Sequence, residues 1–144
     1  MLISKRNSIE AEITPFLVRA VDSGTNPILS LIVPTYNERQ NVFELLNRIE
    51  TLLTSINFEI IIVDDNSPDG TSSIVQNINR KYGNIKVYKR SGKLGLSSAI
   101  LHGFDRARGN FVAVIDADLQ HPPEVLPNMS KENLSSLLAP AIRV

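Results

Sequence analysis

Phe58-Glu59-Ile60-Ile61-Ile62-Val63-Asp64-Asp65-Asn66-Ser67 sets a short aliphatic run directly against acids and turn formers. A run of this length, rich in β-branched residues and lacking strict alternation, reads as a strand buried on both faces. Asp64 to Ser67 stop it. The same unit recurs on either side. Ile28 to Val33 is an aliphatic run closed by Pro34, Ile85 to Tyr88 is a shorter strand, and Phe111 to Ile115 ends at Asp116. Helical spacing fills the gaps. Arg39 to Leu53 carries Val42, Leu45, Leu46, Ile49, Leu52 and Leu53 on one stripe. Thr71 to Tyr82 presents Ile74, Val75 and Ile78, and Leu96 to Arg108 is rich in small and aliphatic residues. Four strands alternating with three helices predict an α/β fold with right-handed crossovers and a mostly parallel sheet. Ligands of such sheets bind at the carboxyl ends of the strands, so the polar residues there need a chemical explanation.

Composition narrows the function classes. The 144 residues suffice for one domain with a real core. A hydrophobic content of 42% with 21% charged residues reads as globular. Fifteen basic and fifteen acidic side chains cancel, so no global field steers the chain to nucleic acid, and any anion must be held by local groups. Without cysteine there is no disulfide and no thiolate metal site. The longest apolar runs fall far below the roughly 18 residues that span a bilayer, and no apolar stretch follows Lys5 and Arg6 as in a signal peptide. A cytoplasmic chain is expected, with peripheral contact at the cytoplasmic face of a membrane still open to it.

Four strand-end segments carry the chemistry. In Asp116-Ala117-Asp118-Leu119-Gln120, alternate side chains of an extended segment share a face, so Asp116, Asp118 and Gln120 form a hard, oxygen-rich set suited to Mg²⁺ or Mn²⁺. The alternative is that these acids end the strand or cap a helix. In Asp64 to Gly70, Asp65 is the residue placed to accept hydrogen bonds from a base or ribose, while Asp69 and Gly70 read as turn and cap. In Pro34-Thr35-Tyr36-Asn37-Glu38, Tyr36 can stack on a base and Glu38 can reach a base or ribose donor, with Asn37 expected to cap the next helix. Lys89-Arg90-Ser91-Gly92-Lys93-Leu94-Gly95-Leu96 lacks the Walker pattern, and reads either as a phosphate contact or as a solvated basic turn. His102 reads as structural, and His121 as a neighbour of the acids rather than a metal ligand.

Taken together, these segments resemble glycosyltransferase family two, and most closely its dolichyl-phosphate or polyprenyl-phosphate mannosyltransferases. The resemblance is carried by Ile32 to Glu38, Ile62 to Thr71, Gly92 to Leu96 with His102-Gly103, and Asp116 to Glu124, in that order. It implies a GT-A fold, a Rossmann-like sheet that binds GDP-mannose or a similar donor, UDP-glucose included. It implies that Pro34, Tyr36, Glu38, Val63 and Asp65 line the nucleoside pocket, with Lys93 at the phosphates. Asp116, Ala117 and Asp118 would hold the ribose and diphosphate end, and Asp116, Asp118 and Gln120 would ligate the metal. The acceptor would be a polyprenyl phosphate, glycosylated with inversion.

The expected organisation is a polar leader over residues 1–26, a donor-binding half over 27–127 and a divergent, partly helical tail over 128–144. The family pattern continues past the Asp-Ala-Asp segment, so the sequence reads as truncated after its fourth strand, with an exposed sheet edge and a tendency to associate with itself or a partner chain. A nucleotide-sugar-binding module without turnover is the rival reading. A glycosyltransferase acting on polysaccharide or protein is the third, disfavoured by Asp118-Leu119-Gln120-His121.

Overall fold

The computed structural model describes residues 16–17 and 26–119. β1 is Phe16–Leu17, followed by β2 (Leu29–Thr35), α1 (Arg39–Leu52), β3 (Phe58–Asp64), α2 (Thr71–Tyr82), β4 (Ile85–Lys89), α3 (Leu96–Arg106) and β5 (Phe111–Val114). The strands form one sheet in the order β1-β5-β2-β3-β4. β2 pairs parallel with both β3 and β5, and β3 pairs parallel with β4. Strand order reverses at β2, which places a crevice between the carboxyl ends of β2 and β5.

The aliphatic runs are buried on both faces because helices cover both. Leu29, Leu31 and Val33 of β2 join Ile60 and Ile62 of β3 under α1 and α2. Ile32, Ile61, Val63, Val112 and Val114 face α3. α3 can lie close because Gly103 has no side chain: a Cβ there would stand 2.6 Å from Cγ2 of Ile32.

Pro34, expected to close its strand, lies inside β2. Its position has a backbone reason. The carbonyls of Ile28 and Ile32 accept from the amides of Phe111 and Ile115, at 2.9 Å each, so even-numbered residues of β2 turn their backbone towards β5. The next rung would need an N–H at residue 34, and proline has none. The ladder to β5 therefore stops while the ladder to β3 continues, with the Thr35 carbonyl accepting from Asp65 N at 3.0 Å. One missing donor thus opens the crevice on the β5 side.

Two further differences from the sequence reading have local causes. The expected four-strand sheet has a fifth member, since Phe16–Leu17 pairs antiparallel with Ala113 and Val112. Two residues are too few to show any period. The edge of β5 is thus paired, leaving β4 at the opposite edge. α3 ends at Arg106 and not Arg108, because Ala107 turns extended (φ −68°, ψ 129°). The expected tail and its helix over 130–138 lie outside the described residues.

At the amino end of the sheet, buried Glu59 ties three strands to the α3–β5 turn. It accepts from Ser30 Oγ (2.7 Å), from the Arg108 amide (2.8 Å) and from the Arg108 guanidinium, with Lys86 Nζ at 3.3 Å. Burial disfavours its charge, but the Arg108 amide, the Ser30 hydroxyl and the two cations outweigh that, and its pKa lies below the ordinary value. A depressed carboxyl contributes stability above its unfolded pKa, near 4.3, and loses it as pH falls through the lower folded value. Urea denaturation should therefore show stability falling as the pH drops below about 4.3. Glu59→Gln should cost about 2 kcal/mol at neutral pH and flatten that acid limb. An unchanged acid limb in the variant would assign it to other carboxylates.

Candidate functional site

Four loops leave the carboxyl ends of β2, β3, β4 and β5, and the first two are pinned to each other by Asp64. Asp64 is fully buried and accepts from Thr35 Oγ1 (2.7 Å), Ser67 Oγ (2.5 Å) and Ser67 N (2.9 Å). Ser67 Oγ in turn accepts from Asn37 N at 2.9 Å. The geometry needs a left-handed residue in each loop, and asparagine, which tolerates that conformation, occupies both: Asn37 (φ 54°) and Asn66 (φ 59°). Asn37 is therefore not the helix cap expected of it. Glu38 takes the N-cap position of α1, and its carboxylate accepts from Asn41 Nδ2 at 3.2 Å.

Asp69 and Gly70 do serve turn and cap. The Asp69 carboxylate accepts from Thr71 N, Thr71 Oγ1 and Arg39 N, clamping the starts of α1 and α2 together. Burial opposes its charge, yet the Thr71 hydroxyl and these amides hold its pKa below the usual value. Gly70 is the left-handed N-cap of α2.

The third loop is set by a buried ion pair. Arg90 Nε donates to Asp65 Oδ1 at 2.6 Å, and the two side chains are 5% and 7% exposed. Asp65 Oδ2 accepts from the amides of Leu94 (3.0 Å) and Gly95 (3.1 Å). Arg90 also donates to Ser98 Oγ (2.5 Å) and to the Gly95 carbonyl (2.9 Å). Gly95 adopts φ +98°, open to glycine at little cost, which lets its amide and its carbonyl serve the same pair. Arg90, read from sequence as part of a basic turn or phosphate contact, is instead an internal strut. Asp65, expected to meet a ligand, has its acceptor sites already engaged by protein.

The fourth loop does not continue β5. β5 ends at Val114, and residues 117–119 turn, with Leu119 at φ +62°. Leucine pays for that conformation, and its side chain packs on the α1–α2 core, which holds the turn. The extended alternation expected for Asp116 and Asp118 is thus replaced by a turn, yet both still reach one space. Gln120 and His121 lie outside the described residues.

Pro34, Tyr36, Glu38, Asp65, Lys93, Asp116, Ala117 and Asp118 line a single cavity of about 230 Å³, joined by Thr35, Gly95, Leu96 and Ala99. Val63 is fully buried and belongs to the α3-side core, so it supports this floor without lining it. Lys93 Nζ sits 4.3 Å from the Tyr36 ring centroid, so one face of the ring expected to stack on a base already carries a cation. Asp116 is half-buried and Asp118 exposed. Among the described residues no three His, Cys, Asp or Glu side chains gather as a metal cluster. The two carboxylates fit a hard divalent cation that takes its remaining oxygens from water and a diphosphate. His102 is remote from this space, packing 5.8 Å from the Tyr88 ring. Burial and the charges of Arg106 and Arg90 push its pKa down.

The family model described as glycosyl transferase family 2 matches residues 30–132, a span that contains all four loops. The chain belongs to that family. Among glycosyl transferase family 2 relatives, a dolichol-phosphate mannosyltransferase of Pyrococcus furiosus is 50% identical over 101 residues, covering 70% of this chain and 28% of the relative. A dolichol-phosphate mannosyltransferase of Saccharomyces cerevisiae is 40% identical over 103 residues, covering 69% of this chain and 39% of its own length. The chain thus spans between about a quarter and two fifths of these curated relatives.

Among solved structures, a mannosyltransferase from Pyrobaculum calidifontis in complex with GDP-Man and Mn²⁺ superposes with a TM-score of 0.59 at 28% identity, over 74% of this chain and 32% of that one. TarS of S. aureus in complex with UDP superposes at 0.56 with 35% identity, over 62% of this chain and 27% of that one. The architecture is the GT-A type, present here through its first parallel strands and helices.

Proposed function

We propose that this chain carries the donor site of an enzyme that moves mannose from a nucleoside diphosphate sugar to a polyprenyl phosphate, with inversion. The observation that carries the reading is the convergence of the four loops on one cavity, with a cation and a tyrosine facing two carboxylates. The GDP-Man and Mn²⁺ of the Pyrobaculum relative and the dolichol phosphate of the curated relatives' names support the donor, metal and acceptor.

By position, Tyr36, Glu38 and Pro34 bound the nucleoside end, with Asp65 and Val63 acting from below. Lys93 serves the phosphates. Asp116, Ala117 and Asp118 take the ribose–diphosphate end, where Asp116 and Asp118, with Gln120, would hold Mg²⁺ or Mn²⁺. Such a cation, when bound, offsets the charge that builds on the departing nucleoside diphosphate. A ligand site of drug size is usually about 300–1,000 Å³. The 230 Å³ here suits part of a donor, with the sugar extending beyond these walls. The acceptor's phosphate monoester has a second pKa near 6 and is anionic at neutral pH, so it attacks the anomeric carbon without a general base. Catalysis then rests on alignment and on leaving-group stabilisation. Among the described residues no helix is long and apolar enough to cross a membrane.

Calorimetric titration with GDP-mannose, with and without Mn²⁺ and beside UDP-glucose, tests this reading. Metal-dependent binding that prefers GDP-mannose supports it. Binding without transfer to polyprenyl phosphate would leave a donor-binding module, and no binding by the folded chain would overturn the assignment.

A further inference from the structure

Tyr36 and Lys93 occupy each other inside the cavity. Lys93 Nζ lies 4.3 Å from the ring centroid, within cation–π reach, and both side chains line the same space. The face that a base entering this space would use is therefore the covered one. Lys93 is also, among the described residues, the one cation that lines the cavity, alongside the carboxylates of Glu38, Asp116 and Asp118. A phosphate arriving in that company has a single ammonium to meet. The two tasks exclude each other, because a base stacked on this face of Tyr36 fills the place that the ammonium holds. The loop lets the side chain move while its backbone stays. Arg90 N donates to the Asp64 carbonyl at 2.7 Å, and the amides of Leu94 and Gly95 donate to Asp65. Lys93 thus stands one residue from an anchored amide, yet is itself exposed, and a Cβ added at Gly92 beside it would meet nothing within 4 Å. The backbone is pinned, and the flexible four-carbon stem of the lysine is free to swing.

We propose that Lys93 is a displaceable cover on the Tyr36 ring, and that it makes the site select phosphorylated nucleosides over bare ones. A diphosphate draws the ammonium off the ring and bares the face on which the base then stacks. A nucleoside without phosphate offers the ammonium nothing in exchange, so it must break the cation–π contact and gains no charge-assisted bond. Lys93 therefore acts twice in the same direction, by attraction to the phosphates of the right ligand and by obstruction of the wrong one. The inference rests on the donor-site reading above and deepens it: it assigns to one side chain the discrimination between a nucleoside diphosphate and its base and ribose alone.

GDP and guanosine, which share base and ribose and differ in the phosphates, test it by calorimetry in Mn²⁺ and by proton NMR in diamagnetic Mg²⁺. The Lys93→Ala variant should bind guanosine about two- to fivefold more tightly than the parent, the worth of an exposed cation–π contact. The same variant should bind GDP at least about tenfold less tightly, the worth of a charge-assisted bond to phosphate. Opposite signs for the two ligands are what a merely structural lysine would not produce. Lys93→Arg keeps a cation that stacks on the ring, so it should retain GDP binding and show no gain for guanosine. In the free parent, the Tyr36 ring current should move the ε-methylene protons of Lys93 upfield. GDP should remove that shift, and guanosine at the same concentration should leave most of it. A Lys93→Ala variant that binds guanosine no more tightly than the parent, or an upfield shift that GDP leaves in place, overturns the inference, while GDP binding by the parent keeps the donor reading. A folded parent that binds neither GDP nor guanosine strikes the donor reading itself and takes the inference with it.

Discussion

Asp118→Ala is expected to abolish metal-dependent binding of GDP-mannose while the domain stays folded. Asp118 is exposed on a turn, so its loss opens no cavity and should cost stability no more than about 1 kcal/mol. What it removes is one of the two carboxylates, Asp116 and Asp118, that the loop after β5 brings to the cavity. Disturbing residues that merely orient a metal ligand costs 10- to 100-fold in metal affinity. Removing the ligand itself should therefore cost at least about a hundredfold. Calorimetry in Mn²⁺ gives the affinity, and a melting curve gives the fold. Unchanged affinity would remove Asp118 from the metal site. Lost affinity together with a melting point many degrees lower would show the acid to be structural instead.

Asp65→Ala should have the largest effect on stability, about 3–5 kcal/mol, because it strands the Arg90 guanidinium inside the protein. With 5–15 kcal/mol typical of a whole domain, that loss is a large share of the total. The same change frees the amides of Leu94 and Gly95, so the loop that presents Lys93 loses both of its hydrogen bonds to the Asp65 carboxylate and keeps the one from the Arg90 amide to the Asp64 carbonyl. Urea denaturation should record the loss, and hydrogen exchange should quicken at the amides of 94 and 95 before it does so in β3. Replacing both partners by apolar residues, Asp65→Leu with Arg90→Met, should recover a good part of the stability, since no buried charge is then left alone. The recovered protein should still exchange fast at 94 and 95. A single variant as stable as the parent would mean that the pair is open to water in solution.

Much of the architecture was legible because burial on both faces leaves a mark that needs no partner to read. Ile60, Ile61 and Ile62 can only be a strand sandwiched between layers, and Val42, Leu45, Leu46 and Ile49 can only be a helix with one covered stripe. The candidate site was legible for a related reason. In a parallel sheet every strand ends at the same pole, so Tyr36, Asp65, Lys93 and Asp116 had to approach one another once the strands were recognised.

Partnership was a different matter. Nothing in the order of residues says that Asp65 gives its oxygens to Arg90 and the amides of 94 and 95, or that Lys93 rests on Tyr36. Nor does it say that Phe16 and Leu17 lie along β5. The residues in each pair are 25 or more positions apart, and either member could have served solvent or a ligand equally well. Local order thus determined the strands, the helices and the pole at which the polar loops meet, because periodicity and turn chemistry act within a few residues. Which acid struts a loop and which faces the cavity was decided only when folding removed water from some of these groups. A charge losing water must find its partner in the protein, and that choice belongs to the tertiary structure.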